Sequence, residues 1–363
     1  MTHKIESGLK TSRKTSLELL RLLAAIFVIA NHTKTYYFFS DLSQLFEFFR
    51  YLAVPSFILM SSYFTSRVMD SADVSKIFIF KRFKRIYSPI ILWSLIYFII
   101  ISISKYFFNT PFIHTFAKTT NYQILNTKNL FLQFFFGHSV NEPLYFLVIL
   151  SWLNLIFFLF VSVIRNKEIL IKLFGSIVFL CFILEYTGIN YKIFSGFSYQ
   201  IKFTLGRLVE FAPYFFTGTL IYAYKDKIST FGKLPNIFKS LMFIFLFFFA
   251  YYILAYDNMS VGFKFNGLRY YIGAISVFLL FNDFDIKNQK IGRVIKNLSN
   301  LTLGVYCIHM LVISYSLLIG HKYKLFFDYY HQPLIFLGIV SISFLISFLL
   351  KTLLRGYATY VVV

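Results

Sequence analysis

Charge is scarce in this chain, and acidic charge is scarcest. Only 14% of its 363 residues are charged, and 15 of them are Asp or Glu. A soluble domain averages about 25% charged residues, so there is too little polar surface here to clothe the two or three soluble domains that the length would allow. Cysteine is nearly absent. The two present, Cys181 and Cys307, fall inside apolar stretches and exclude a disulfide framework. No P-loop, no dinucleotide-binding glycine pattern and no Cys/His zinc spacing appears, nor does an internal repeat or a low-complexity tract.

What fills the space is hydrocarbon. Apolar residues make up 58% of the chain and aromatic residues 22%, for a mean hydropathy of +0.68. This is the composition of an integral membrane protein. Stretches of about 20 mostly apolar residues, the length that crosses a bilayer as a helix, occur ten times. They run near 17–39, 47–66, 86–108, 143–164, 170–187, 204–224, 237–256, 268–283, 299–320 and 333–354. The eighth is short and the second contains Pro55. Leu130–Phe136 is too short to cross and reads as a re-entrant or interfacial piece. The first stretch is too long for a cleaved signal, carries Arg21 and His32, and lacks a small-residue cleavage site after it, so it reads as a retained helix. The expectation is an all-α integral membrane protein, a single bundle of about ten transmembrane helices occupying residues 1–363 as one domain.

Basic charge orients that bundle. The net charge is +21, and the Lys and Arg residues sit in short runs between the apolar stretches rather than on one soluble face, which argues against nucleic acid as a partner. With the N-terminus inside, the inner segments hold 22 Lys and Arg and the outer ones 9. The positive-inside rule thus places both termini in the cytoplasm, with residues 1–16 as a basic tail and the longest loop, 105–142, outside.

Ionisable groups within spans are costly and mark function. In the first span Arg21 and His32 are 11 residues apart, which at 100° per residue puts them on one face about 16 Å apart. Glu18 precedes Arg21 by three residues and can pair with it. Ahead of the third span, Arg82 and Arg85 in Lys81–Pro89 are one turn apart, and two guanidinium forks so held suit a phosphate-bearing ligand. The second span brings Pro55, Ser61, Ser62 and Tyr63 to membrane depth, the ninth carries Gly304, Tyr306 and His309, and Glu142-Pro143 opens the fourth. Arg207 and Glu210 read as a structural pair in the sixth span. Each feature has a structural reading as well: a snorkelling Arg, a positive-inside anchor, a satisfied histidine.

Together these segments resemble the acyltransferase-3 family of bacterial ten-helix membrane acyltransferases. The family's acidic residue, Arg and His of the first helix match Glu18, Arg21 and His32. Its second-helix signature matches Pro55, Phe57, Ser61 and Tyr63. Its Arg-x-x-Arg with a following Pro matches Arg82, Arg85 and Pro89. The outer Pro-Leu-Trp-Phe-Leu matches Pro143, Leu144, Phe146 and Leu147, and the late Gly-x-Tyr-x-x-His matches Gly304, Tyr306 and His309. Three departures stand out: Ser62 replaces a usual Gly, Tyr145 a usual Trp, and Ser88 extends the segment between Arg85 and Pro89.

The resemblance implies an O-acyltransferase of the bacterial inner membrane. Acyl-CoA, most often acetyl-CoA, would be a co-substrate at the cytoplasmic face, its phosphates held by Arg21, Arg82 and Arg85, with no permanently bound cofactor and no metal. The acceptor would be a hydroxyl of a surface or lipid-linked glycan such as O-antigen or capsule. His32 would act on that hydroxyl as general base or as a transient acyl carrier. Glu18, Ser61, Tyr63, Glu142, Tyr306 and His309 are supporting or acceptor-side candidates. The alternative is a glycan exporter of the same family. A glycan polymerase fits poorly, because the long outer loop 105–142 contains no arginine.

Overall fold

The computed structural model describes residues 14–33, 43–70, 76–108, 144–164, 166–187, 194–197, 199–230, 236–260, 266–284, 286–322 and 332–354. Among these, every regular element is helical: twelve α-helices and two short 3-10 turns. We number the helices α1 (Thr15–Thr33), α2 (Ser43–Thr65), α3 (Lys76–Phe108), α4 (Tyr145–Val163), α5 (Lys167–Thr187), α6 (Tyr199–Ala223), α7 (Lys225–Thr230), α8 (Asn236–Ser260), α9 (Asn266–Asp283), α10 (Gln289–Ser299), α11 (Thr302–Lys322) and α12 (Gln332–Leu354).

Ten of these are long, and each overlies one of the ten expected spans. Among the described residues, α1, α4 and Pro333–Leu354 of α12 are long and apolar enough to cross a membrane, and α10 with Thr302–Ser316 of α11 forms a fourth candidate bent by 54°. The lipid-facing sides are plain in the packing. On α12, Leu334, Leu337, Leu345, Phe348 and Leu353 are exposed at helical spacing, and only 17% of that span is buried. Pro55 does not break α2; it removes one backbone bond within a continuous helix. The basic run before the third span is likewise helical, because α3 begins at Lys76 and carries Pro89 in its interior. Leu130–Phe136 and most of the tail 1–16 lie outside the described residues.

The core is aromatic. Trp93, Tyr97, Phe157, Phe174, Phe215 and Phe216 are fully buried, and Phe174 stacks on Phe216 at 4.9 Å. Helix α6 packs most extensively on α2 and α5, while α1 lies against α2, α10 and α11. Gly218 makes the α2–α6 approach possible: a Cβ there would stand 2.0 Å from Ser62 Oγ and 2.4 Å from the Leu59 carbonyl oxygen. Ser62, in the position where the resembled family usually has Gly, is thus accommodated by a glycine on the facing helix.

Polar bonds tie helix ends together. Asp70, just past α2, accepts from Lys167 at the start of α5 (3.0 Å), from Tyr222 at the end of α6 (2.6 Å) and from Lys225 of α7 (2.7 Å). Lys14 reaches the carbonyl of Asn282 at the end of α9 (2.7 Å). The end of α2, the start of α5 and the end of α6 therefore share one face of the bundle, as antiparallel alternation requires.

Candidate active site

Five helices enclose a cavity of about 160 Å³ whose polar lining is Glu18, Arg21, Ser61, Arg82, Arg85, Thr302 and Tyr306. The rest of its wall is apolar, including Phe57, Met60, Phe146 and Leu150. Glu18 and Arg21 follow each other by three residues on α1, and their charges are 3.8 Å apart. Glu18 is buried and also accepts a hydrogen bond from Ser299 at the end of α10. The bent joint between α10 and α11 is thereby fastened to the cavity wall.

Arg82 is held by its surroundings. Its Nη2 donates to Ser61 Oγ at 2.8 Å and to the Ser61 carbonyl at 3.1 Å. Its Nε lies 3.5 Å from Asn154 Oδ1. Asn154 is buried in α4, and its own amide donates to the Leu150 carbonyl at 2.6 Å, which fixes the oxygen toward Arg82. Thr65 Oγ1 shares that oxygen at 3.3 Å. Arg85, one turn along α3, faces the same cavity. Three guanidinium groups against one carboxylate, inside a partly enclosed apolar wall, make a site for an anion, since charge-assisted bonds strengthen as water is excluded.

Tyr306 joins this cavity to a second feature. Its ring meets Phe146 edge-on at 4.5 Å and lies 5.7 Å from the ring of His309, one turn farther along α11. His309 is fully buried, and its Nδ1 lies 2.6 Å from the Tyr306 carbonyl oxygen. A carbonyl only accepts, so Nδ1 carries the proton and Nε2 is left as an acceptor. That Nε2 is buried with no hydrogen-bond partner among the described residues. The ring of His32 stands 5.3 Å from that of His309. A pair of imidazoles thus sits one ring beyond the cationic cavity.

Of the residues singled out in the sequence, Glu18, Arg21, Ser61, Arg82, Arg85 and Tyr306 line one cavity, and His32 and His309 form a pair reached through Tyr306. His32 itself is not part of the cavity wall. Tyr63 points elsewhere, packing on Phe278 at 5.2 Å and Tyr222 at 5.5 Å. Glu142 lies outside the described residues. Asn154 and Ser299 escaped sequence reasoning. Asn154 had a usable signal, being an amide in the middle of the apolar α4; Ser299 had none, because its role depends on a partner in the first helix.

The fold and site define a multi-pass helical membrane protein with an anion cavity beside paired imidazoles. Residues 14–352 match the sequence profile of the acyltransferase-3 family, described as an acyltransferase domain, so the chain belongs to that family and is a membrane acyltransferase. No curated protein and no solved structure matches the chain significantly.

Proposed function

We propose that this acyltransferase moves an acetyl group from cytoplasmic acetyl-CoA to a hydroxyl of a surface or lipid-linked glycan, in a bacterial inner membrane with both termini inside. The observation that carries the reading is the convergence of Arg21, Arg82 and Arg85 on one cavity, a cationic set suited to the phosphates of coenzyme A. Tyr306 and the imidazole pair then lie where the acyl end of such a donor would arrive.

The chemistry balances without a metal or redox partner. The acceptor oxygen attacks the thioester carbonyl, a C–O bond forms, the C–S bond breaks, and the thiolate leaves. His32 takes the hydroxyl proton as the oxygen attacks and returns it to the thiolate sulfur. His309, with Nδ1 committed to the Tyr306 carbonyl, packs its ring against that of His32 and positions it by contact.

The test is transfer of radiolabelled acetyl from acetyl-CoA to surface glycan in membranes, comparing the native chain with His32→Ala. Label on glycan with the native chain alone supports the donor, the acceptor class and the role of His32 together. Equal label with both removes His32 from the chemistry. Absence of label with either rejects this pairing of donor and acceptor.

A further inference from the structure

A second cavity, of about 430 Å³, lies across α1 and α2 from the cationic one. The two helices form the partition. On α1, Glu18 and Arg21 line the cationic cavity while Leu20 and Ala24 line the other; on α2, Phe57 and Ser61 line the first while Ala53 and Ser56 line the second. Helices α8 and α9 complete the wall. The course of α8 leaves this space open. It packs along α9 but meets α2 through rings at one level, where Phe247 lies 5.2 Å from Phe48 and 5.1 Å from Phe49. From that level toward the start of α8, the cavity runs between Phe243, Leu20 and Phe281.

Something must fill it. An empty cavity costs stability in proportion to its volume, and this one measures 430 Å³ against 160 Å³ for the cationic cavity. Water is a poor filler, because a buried water needs about two to four polar partners. Among the described residues the wall offers only the hydroxyls of Ser56 and Ser276, and Ser276 spends its proton on the Ile272 carbonyl at 2.8 Å. Hydrocarbon suits the wall on every side, and the bilayer supplies hydrocarbon. The cavity also has an edge on the lipid: Ile244 and Phe248 belong to its wall, yet they are 41% and 44% exposed.

One end of the cavity is basic. Lys239 stands four residues before Phe243 on α8, one turn away on the same side of the helix, and is buried. Lys14 donates to the Asn282 carbonyl at 2.7 Å, and Asn282 follows Phe281 of the wall. The side-chain Oδ1 of Asn282 is buried with no hydrogen-bond partner among the described residues, an acceptor that lacks a donor. All three groups belong to the end of the bundle at which α1 and α8 begin and α9 finishes. We propose that the cavity holds an acyl chain of an anionic, hydroxylated bilayer phospholipid, with the phosphate at Lys14 and Lys239 and a headgroup hydroxyl donating to Asn282. Such a lipid joins α8 and α9 to the α1–α2 partition, and the inference does not depend on the acyl-transfer reading.

The experiment is native mass spectrometry of the detergent-purified full chain with added phosphatidylglycerol, and with phosphatidylcholine of the same acyl chains as the zwitterionic control. The native chain retains one phosphatidylglycerol, preferred over phosphatidylcholine by about tenfold or more. Ala24→Leu and Ser276→Leu fill the cavity from different helices, and each lowers retention by about fivefold or more, the scale of a few methylenes denied burial. Lys14→Gln combined with Lys239→Gln removes the preference, at about fivefold per lysine. If one filling variant fails to elute as the native protein does, the other decides. No retained lipid, equal retention of the two lipids, a preference that survives loss of both lysines, or retention unchanged by filling overturns the proposal. A dimer that the filling variants dissolve gives the cavity to a second copy of the chain and overturns it as well.

Discussion

The rings of His32 and His309 stand 5.3 Å apart, one on α1 and the other on α11, and the Tyr306 carbonyl fixes which nitrogen of His309 carries the proton. On the proposed reading, His32 exchanges the acceptor's proton and His309, whose Nε2 has no hydrogen-bond partner among the described residues, packs its ring beside it. His32→Ala should therefore lower acyl transfer by about 100-fold or more, the scale of a positioned general base, while membrane insertion persists. His309→Ala should lower kcat by about tenfold or more through lost positioning and shift the pH profile of kcat, a readout that a purely structural role would leave unmoved. An unchanged pH profile with kcat reduced would reassign His309 to packing.

Asn154 gives a separate prediction at the donor end. Its Oδ1 is aimed at Arg82 by a 2.6 Å bond from its own amide to the Leu150 carbonyl. Asn154→Leu, which keeps the volume and removes that oxygen, should raise KM for the acyl donor about tenfold or more, as expected for a hydrogen bond to a charged group, and leave KM for the acceptor unchanged. Arg82→Ala combined with Arg85→Ala should weaken coenzyme A binding further. If its affinity were the same in the double variant, the arginine pair would serve only to anchor topology.

Much of this arrangement was legible in the sequence, for reasons that also mark the limit. Apolar windows of spanning length found the ten long helices because a bilayer sets their length. Helical spacing alone put Glu18 beside Arg21 and Arg82 on one face with Arg85, and the structure keeps both relationships. The helix α10 went unseen because 11 amphipathic residues cannot register in a window of about 20 apolar ones, although Ile291, Val294, Ile295 and Leu298 have helical spacing and Asn288 caps the start through its side chain. Partners across the bundle were hidden for a different reason. That Glu18 bonds Ser299, and that Tyr63 turns toward Phe278 instead of the cavity, follows from how helices are ordered around one another, which local spacing does not encode.

The close approach of α2 and α6 supplies a stability prediction. Gly218 has no room for a side chain, since a Cβ would fall 2.0 Å from Ser62 Oγ and 2.4 Å from a backbone oxygen. The backbone oxygen cannot swing aside, so Gly218→Ala must separate the helices. It should destabilise the protein by about 1–3 kcal/mol, the usual cost of overpacking a filled interior. Ser62→Gly alone should be mild, and adding it to Gly218→Ala should recover part of the loss by removing the nearer obstacle. Thermal unfolding of the three variants in one detergent checks this, and absence of any recovery in the double variant would show that the backbone contact dominates.

Asp70 supplies a pH dependence outside the spans. Burial works to raise its pKa, but hydrogen bonds from Lys225, Tyr222 and Lys167 and the nearby Lys167 charge outweigh it, and the carboxyl falls from 3.8 to about 2. A group whose folded pKa is depressed stabilises the fold above its unfolded pKa and loses that contribution as pH falls through the folded value. The clasp by which Asp70, just past α2, gathers α5, α6 and α7 is therefore fully formed above pH 3.8 and lost toward pH 2. Because the carboxylate is 38% exposed, solvent screens it and the effect is modest. Asp70→Asn should unfold at a lower temperature than the native chain at pH 6, and the gap should close as the pH approaches 2. A gap that stays constant across that range would mean that the hydrogen bonds of the side chain, and not its charge, hold the three helix ends together.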